Sequence, residues 1–361
     1  MEAVIVTDKK GYKKFLEFRK SIYKNSPFFV DNNLFMIKEV FSKRTCFVEN
    51  KYIYPIIIVD NNQVVCEALV VYAKDLPDYI QLCFFECEKD CKEAVKLLLD
   101  KTYELGKKHG TKRLVVGLNG HVNYGLGLLN SHFEDKNSFS SSANPKYYNE
   151  YFESLSMEKI YLNTYKLNDM DSKVKRYQAF INKVNNNYTF RYFDKKNFDY
   201  YSKLYTDLNN ACFVNHRYYY PRTYREDKEM LKELFLFMKE DSIIFAFEGE
   251  KPVGFIMWYQ DYNELSNPGD FFGVKEFFKN IFYGKKIKTA KVMEFGIVEE
   301  HRMMGLPMGL LYKVFECVKK RGIKTCETSW ILADNVDSNS VCKGICDEEY
   351  KGYVVYERDI N

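Results

Sequence analysis

Two halves of this chain present the same succession of elements, and that repetition limits the folds open to it. In the first half EAVIVTD reads as a strand, and Lys9 to Tyr23 and Asn33 to Phe41 read as helices. TCFVEN, YPIIIVD and QVVCEALVVYA are β-rich runs divided by polar turns. YIQLCFFE follows as a strand, then a helix from Asp90 to His109 that ends on Lys107, Lys108, His109 and Gly110. The strand KRLVVGL, the helix PKYYNEYFESL and the strand KIYLNTYKL complete the half. The second half runs NYTFRYF, helices over Asn197 to Cys212 and Arg225 to Lys239, and the hairpin SIIFAFEG–KPVGFIMWYQ. A short helix from Lys275 to Phe282, the strand TAKVMEFGIV and a helix from Gly305 to Arg321 come next. IKTCETSWIL, a helix from Val336 to Ile345 and the strand YKGYVVYER close it. This order predicts an α/β chain of the α+β type with two tandem domains, 1–168 and 169–361, joined near 168–183. Each is expected to be a mixed, mostly antiparallel sheet flanked by helices.

The composition supports two packed units. Of 361 residues 46% are hydrophobic and 17% aromatic, which excludes wholesale disorder and a small disulfide-stapled scaffold. No run approaches the ~18 apolar residues of a membrane span. The opening MEAVIVTDKKGYKKF lacks the apolar core of a signal peptide. The expectation is a cytoplasmic protein, monomer or homodimer, with no membrane partner and its 10 Cys reduced. Cys83, Cys87 and Cys91, like Cys342 and Cys346, recur every four residues, but the first three straddle a strand and a helix. Free thiols are the better reading, and no metal is expected. A net charge of +4 gives a nucleic-acid partner no support. The stretch His216 to Arg222 fits a helix-entry loop packed by tyrosines at least as well as a base-stacking surface.

The sharpest local feature is the run from Glu294 to Pro307, a strand that turns straight into a helix. The first amides of such a helix have no internal partners, and its dipole favours an anion there. Gly305 permits close backbone approach, and Arg302 can close the turn or add positive charge. On spacing alone a plain strand–turn–helix explains the run as well. Alternation places Glu294 on the face of Val292 and Gly296.

Arg302 and Gly305, in this place, resemble the Arg/Gln-x-x-Gly-x-Gly/Ala acyl-CoA-binding motif of the GNAT N-acetyltransferase superfamily. Pro307 stands where that motif has a small residue, and has no N–H to donate. The element order of Asn187 to Arg358 follows the superfamily. The runs Tyr220 to Glu226, Pro252 to Phe255, Asp261 to Asn263 and Ser329 to Asn335 resemble a bacterial, largely uncharacterised subgroup. So do Ile22 to Pro27, Phe84 to Asp90 and Gly117 to Gly125 in the first half.

The resemblance implies two GNAT-like domains, the first degenerate and the second carrying the acyl-CoA loop, with acetyl-CoA as co-substrate. It implies transfer of an acetyl group to an amine of a small molecule or peptide by direct attack in a ternary complex. Main chain and side chains at Ile297, Val298, Arg302, Met303, Met304, Gly305 and Asn335 would hold the carrier. Glu294 would be the base, against the plainer reading of a solvated or paired carboxylate. Tyr350 and Tyr353 would be candidate acids, against packing. His301 would contact phosphate, against the plainer reading of an exposed histidine, and Lys285, Lys286 and Lys288 either draw in the nucleotide end or form a solvated loop. The first half's loop, Glu86 to Cys91, carries three carboxylates and no glycine, so it should repel pyrophosphate. That half would instead wall one side of the cleft, with Asn119 and Asn123 as hydrogen-bond donors or as ordinary turn residues. The alternatives are a non-catalytic binding protein, and aminoacyl transfer of the Fem type, which the near-neutral charge disfavours.

Overall fold

The computed structural model describes residues 1–271 and 273–360. One fourteen-stranded sheet runs through both halves. The first half supplies β1 (Glu2–Ile5), β2 (Lys51–Asp60), β3 (Gln63–Ala73), β4 (Tyr79–Cys87), β5 (Arg113–Val116), β6 (Leu128–Leu129) and β7 (Glu158–Leu167). The second supplies β8 (Thr189–Tyr192), β9 (Ile243–Glu248), β10 (Lys251–Gln260), β11 (Thr289–Ile297), β12 (Thr325–Thr328), β13 (Ile331–Leu332) and β14 (Glu348–Asp359). Their spatial order is β1-β2-β3-β4-β5-β14-β7-β12-β11-β10-β9-β8, with β6 on β14 and β13 on β7.

Each half thus lends its last strand to the other. The C-terminal β14 lies antiparallel between β5 and β7, and β7 lies against β12. A strand at a sheet edge leaves unpaired amides and carbonyls, and the three ladders β5–β14, β14–β7 and β7–β12 cover such edges at the centre of the molecule. Separate chains covering 1–168 and 169–361 are therefore expected to be insoluble alone and to recover as a complex when co-expressed. Size-exclusion chromatography of the co-expressed pair checks this.

The helices form a layer on each face. In the first half α1 (Lys9–Tyr23) and α2 (Leu34–Ser42) cover Leu69 and Val71 with Phe15 and Ile37. On the other face α3 (Lys92–His109) and α4 (Tyr147–Ser154) cover Val70 and Leu82 with Leu98 and Phe152. In the second half α6 (Phe198–Phe213) and α7 (Tyr224–Leu234) pack Tyr205 and Leu231 on Phe245 and Phe255. Opposite them α9 (Leu306–Lys320) and α5 (Met170–Asn185) pack Leu310 and Val184 on Ile256 and Trp258. A cluster with Val115, Leu162, Tyr219 and Tyr353 joins the halves. Two more helices, α8 (Val274–Tyr283) and α10 (Val336–Ile345), lie in the β10–β11 and β13–β14 connections.

Four expectations differ from what the chain does. TCFVEN is a tight helical turn at Cys46–Val48 rather than a strand, because Glu229 of α7 accepts the Thr45 hydroxyl and the Cys46 amide. The helix expected to reach Lys239 ends at Leu234. The junction at 168–183 is itself a helix, α5, started by Asp169 accepting the Ser172 amide. IKTCETSWIL breaks into β12 and β13.

The polar loop 130–144 is held between the halves. Asn137 brackets the Val30 backbone, Asp261 accepts the Phe139 amide at 2.7 Å, and Lys291 donates to the Phe139 carbonyl. Side chains of the second half thereby satisfy loop backbone that has no sheet partner, while the loop's own Asn137 does the same for Val30.

Candidate active site

Parallel pairing between β11 and β12 stops at Val292 and Thr328, and between β4 and β5 at Leu82 and Val116. Beyond those points each pair opens into a gap, one in each half. Both β4 and β11 carry an irregularity at this place, and a glutamate follows it: Glu86 opposite Glu67, and Glu294 opposite Met257. The extra residue in β11 is Met293. It breaks the alternation, so Val292 packs under α9 while Glu294 turns to α6. The expectation that Glu294 shares a face with Val292 is corrected by this bulge. Gly296 does lie on the α6 side, where a Cβ would come within 3.0 Å of Cys212.

Three donors converge on the Glu294 carboxylate. Tyr205 and Asn209, one turn apart on α6, donate to Oε2, Asn209 at 2.8 Å. Asn123, from the first half, donates to Oε1 at 2.9 Å. Burial pushes the carboxyl up to about 7, against the opposing effect of the Tyr205 hydrogen bond and the Arg222 guanidinium. Arg222 pairs with Asp227 at 3.0 Å, both fully buried, and Arg222 also lies over the Tyr124 ring. Tyr219 closes the cluster by donating to Asn209 and Asn210. A partly buried carboxyl titrating near neutrality, facing the junction of the two halves, is suited to accept a proton at physiological pH.

The two gaps are furnished differently. In β4 the pairing turns the main-chain groups of Cys87 toward the gap, and α4 fills them: Tyr148 accepts the Cys87 amide and Tyr147 donates to its carbonyl, both at 2.8 Å. Tyr151 donates to the Glu88 carbonyl. In β11 the same pairing pattern turns Phe295 and Ile297 to the gap. Among the described residues their only hydrogen bond on that edge is from Arg302 Nε, 3.2 Å from the Ile297 carbonyl. Arg302 also reaches the Cys212 carbonyl at 3.4 Å, so it closes the turn. The amides of Met303, Gly305 and Leu306 have no acceptor among the described residues, and α9 has no side-chain cap.

Gly305 has φ +78°, and a Cβ there would meet Phe180 at 2.6 Å and Val184 at 2.9 Å on α5. Backbone conformation and packing both require glycine at this position. His301 is buried, not exposed as expected, with Nδ1 3.0 Å from the Tyr188 hydroxyl. Pro307 sits in the first turn of α9. Val298 is the last extended residue before the turn, and Met303 and Met304 lie on the surface. Asn335 caps α10 by accepting the Ser338 amide at 3.1 Å.

Tyr350 and Tyr353 keep their contacts with the 127–144 region rather than with Glu294. Tyr350 donates to Asp135 at 2.6 Å. Tyr353 is buried against Gly127 and Leu162. The strand exchange carries β14, and both tyrosines with it, into the first half's part of the sheet. Asn119 accepts the Phe84 amide at 3.0 Å and so holds the first half's own bulge. Tyr205 and Asn209 were not singled out in the sequence. Their signal was a tyrosine and an asparagine spaced i, i+4 on the packed face of a helix.

No protein-family model matches the sequence, and no curated protein matches it. Solved structures do resemble it. A tandem GNAT protein from the clavulanic acid biosynthesis pathway aligns over 100% of this chain and 98% of its own, with TM-score 0.56 and 12% identity. A GCN5-related glucosamine N-acetyltransferase region of a fungal multi-domain GH3 β-N-acetylglucosaminidase gives TM-score 0.59 at 12% identity. That alignment covers 99% of this chain and 38% of the other. A GCN5-related N-acetyltransferase from Sphaerobacter thermophilus gives TM-score 0.50 at 10% identity, covering 90% of this chain and 86% of the other. At these identities the likeness lies in the fold, and the fold of this chain is that of a tandem GNAT protein.

Proposed function

We propose that the second half is an N-acyltransferase that takes an acetyl group from acetyl-CoA and passes it to an amine of a small molecule or peptide. The observation that carries this reading is the asymmetry of the two gaps. Tyr148 and Tyr147 take up both main-chain groups of Cys87 on β4, whereas among the described residues Arg302 alone bonds the equivalent edge of β11, at the Ile297 carbonyl, beside the unpartnered amides of Met303, Gly305 and Leu306. An extended amide-bearing chain fits the open edge, and a diphosphate fits the helix start. A thioester bound there would supply an activated acyl group and a thiolate leaving group.

Glu294 then takes a proton from the acceptor ammonium. The amine nitrogen bonds to the acyl carbon as the carbon–sulfur bond breaks, the second proton shed by the nitrogen goes to the leaving sulfur, and Glu294 returns its proton to solvent. Tyr205, Asn209 and Asn123 hold the carboxylate in place; Oε2 accepts two of these hydrogen bonds and Oε1 one, so the lone pair left for this proton is on Oε1. The first half serves as a wall of the cleft and contributes Asn123.

Titration calorimetry with acetyl-CoA tests the reading. The native protein is expected to bind, and Met303→Glu, a fully exposed position in the loop, to bind roughly tenfold more weakly by like-charge repulsion. No heat with the native protein would overturn it. A second expectation concerns Asn123. Asn123→Ala removes a donor to the charged carboxylate, so the carboxyl titrates at higher pH. The acidic limb of the pH–rate profile then moves up, activity below neutral pH falls several-fold, and activity at alkaline pH is retained.

A further inference from the structure

The connection between β10 and β11 carries α8, and the faces of this helix are inverted. Toward the protein lie Glu276, whose carboxylate accepts the Gly273 amide, and Asn280, which donates to the Phe237 carbonyl. Phe277 stacks edge-on against Phe237 on the same side. Toward solvent lie Val274 (74% exposed), Phe278 (53%), Ile281 (58%) and Phe282 (73%). Their spacing, i, i+4, i+7 and i+8, makes one continuous stripe. A helix of a soluble protein ordinarily buries such a stripe. Four large apolar side chains turned outward together are the feature that marks an interaction surface.

Charge frames the stripe. From Val274 to Lys288 the chain holds Lys275, Lys279, Lys285, Lys286 and Lys288 against a single acid, the buried Glu276. Asp270 pairs with Lys275 and Lys279, and Glu264 accepts the Lys288 and Thr289 amides. Exposed Phe271 extends the apolar surface beyond the helix start. The ammonium groups of Lys20 and Lys38 stand 5.5 and 5.4 Å from its ring centre.

The chemistry of this ridge selects its occupant. Its apolar residues project from a helix and do not line a groove, so they suit a medium they can enter. A second copy would set lysines against lysines. An anionic lipid surface offers hydrocarbon for the phenylalanines and phosphates for the lysines around them. We propose that α8 docks this protein on an anionic bilayer surface, with Phe278, Ile281 and Phe282 entering the headgroup–acyl boundary. The sequence-based expectation of no membrane partner rested on the absence of a spanning run. An interfacial helix needs none.

Co-sedimentation of the full chain with lipid vesicles tests the proposal. The native protein is expected to sediment with vesicles of equal parts phosphatidylcholine and phosphatidylglycerol, and not with phosphatidylcholine alone. Phe278→Ser with Phe282→Ser should weaken that binding by roughly tenfold or more. Lys285→Glu with Lys286→Glu should weaken it by a similar factor through charge alone. All four positions are on the surface, and circular dichroism of each variant verifies that the fold is kept. No binding to the mixed vesicles, or undiminished binding by the serine variant, overturns the proposal. So does a native dimer that becomes monomeric on the serine substitutions, since the stripe would then belong to a second copy.

Discussion

Replacing Glu294 by Gln is expected to lower the acyl-transfer rate by about a hundredfold or more, because a positioned general base contributes at least that much. In the native protein the rate should rise with pH through about 7 and then level, since only the ionised carboxylate accepts the ammonium proton. The Gln variant should lose this acidic limb. Stability should move the other way. The folded carboxyl titrates near 7, above the ~4.3 of an unfolded glutamate. Its contribution to stability is therefore full below ~4.3 and is lost as pH rises through 7. Gln has no such penalty, so the variant should gain stability relative to the native protein between acidic and neutral pH. Steady-state rates and urea unfolding across pH measure both effects. Equal loss of rate at every pH, with the limb intact, would show that Glu294 only packs.

The largest stability effect is expected at Arg19. Its guanidinium holds Asp31 at 2.8 Å and Glu86 as well, with all three side chains under a tenth exposed. Tyr148 donates to the same Glu86 carboxylate at 2.8 Å, and Glu67 lies directly opposite with neither oxygen hydrogen-bonded. Burial already pushes Glu86 up to about 7 and Glu67 well above its usual range. Arg19→Met removes the only cation that pairs with these carboxylates among the described residues and should cost about 3–5 kcal/mol in urea unfolding at pH 8. The deficit should shrink as pH falls below 7, because the raised Glu86 carboxyl then takes a proton and no longer needs the cation. A loss under about 1 kcal/mol, as at an exposed ion pair, would contradict the assignment. The same cluster explains why the first half differs from the second. At the place where Glu294 is held by Tyr205, Asn209 and Asn123, Glu86 is locked by an arginine and a tyrosine.

Much of this was legible locally. The helix over Lys9 to Tyr23 and the strands QVVCEALVVYA and TAKVMEFGIV follow from apolar spacing, and the end of α3 follows from its basic last turn and Gly110. Glu294 and the strand–turn–helix at Gly305 were also visible, because strand period and turn chemistry are properties of neighbouring residues. The errors have the same origin. A single extra residue, Met293, changes which face Glu294 presents, and no pattern of side chains marks that bulge. TCFVEN has strand-like composition, but Glu229, 184 positions away, takes its donors and fixes it as a turn.

What the sequence by itself determined is the inventory: the elements, their order, the repeat of that order in two halves, and a glutamate ahead of a glycine-started helix. Each of these rests on interactions a few residues long. Only the tertiary structure decided that β14 pairs with β5 and β7 with β12, that Asn123 reaches Glu294 across 171 positions, and that Tyr350 and Tyr353 lie away from it. The physical reason is that a sheet ladder is made of backbone groups common to every residue. Which strand fills a gap is therefore settled by the shape and burial of everything around it.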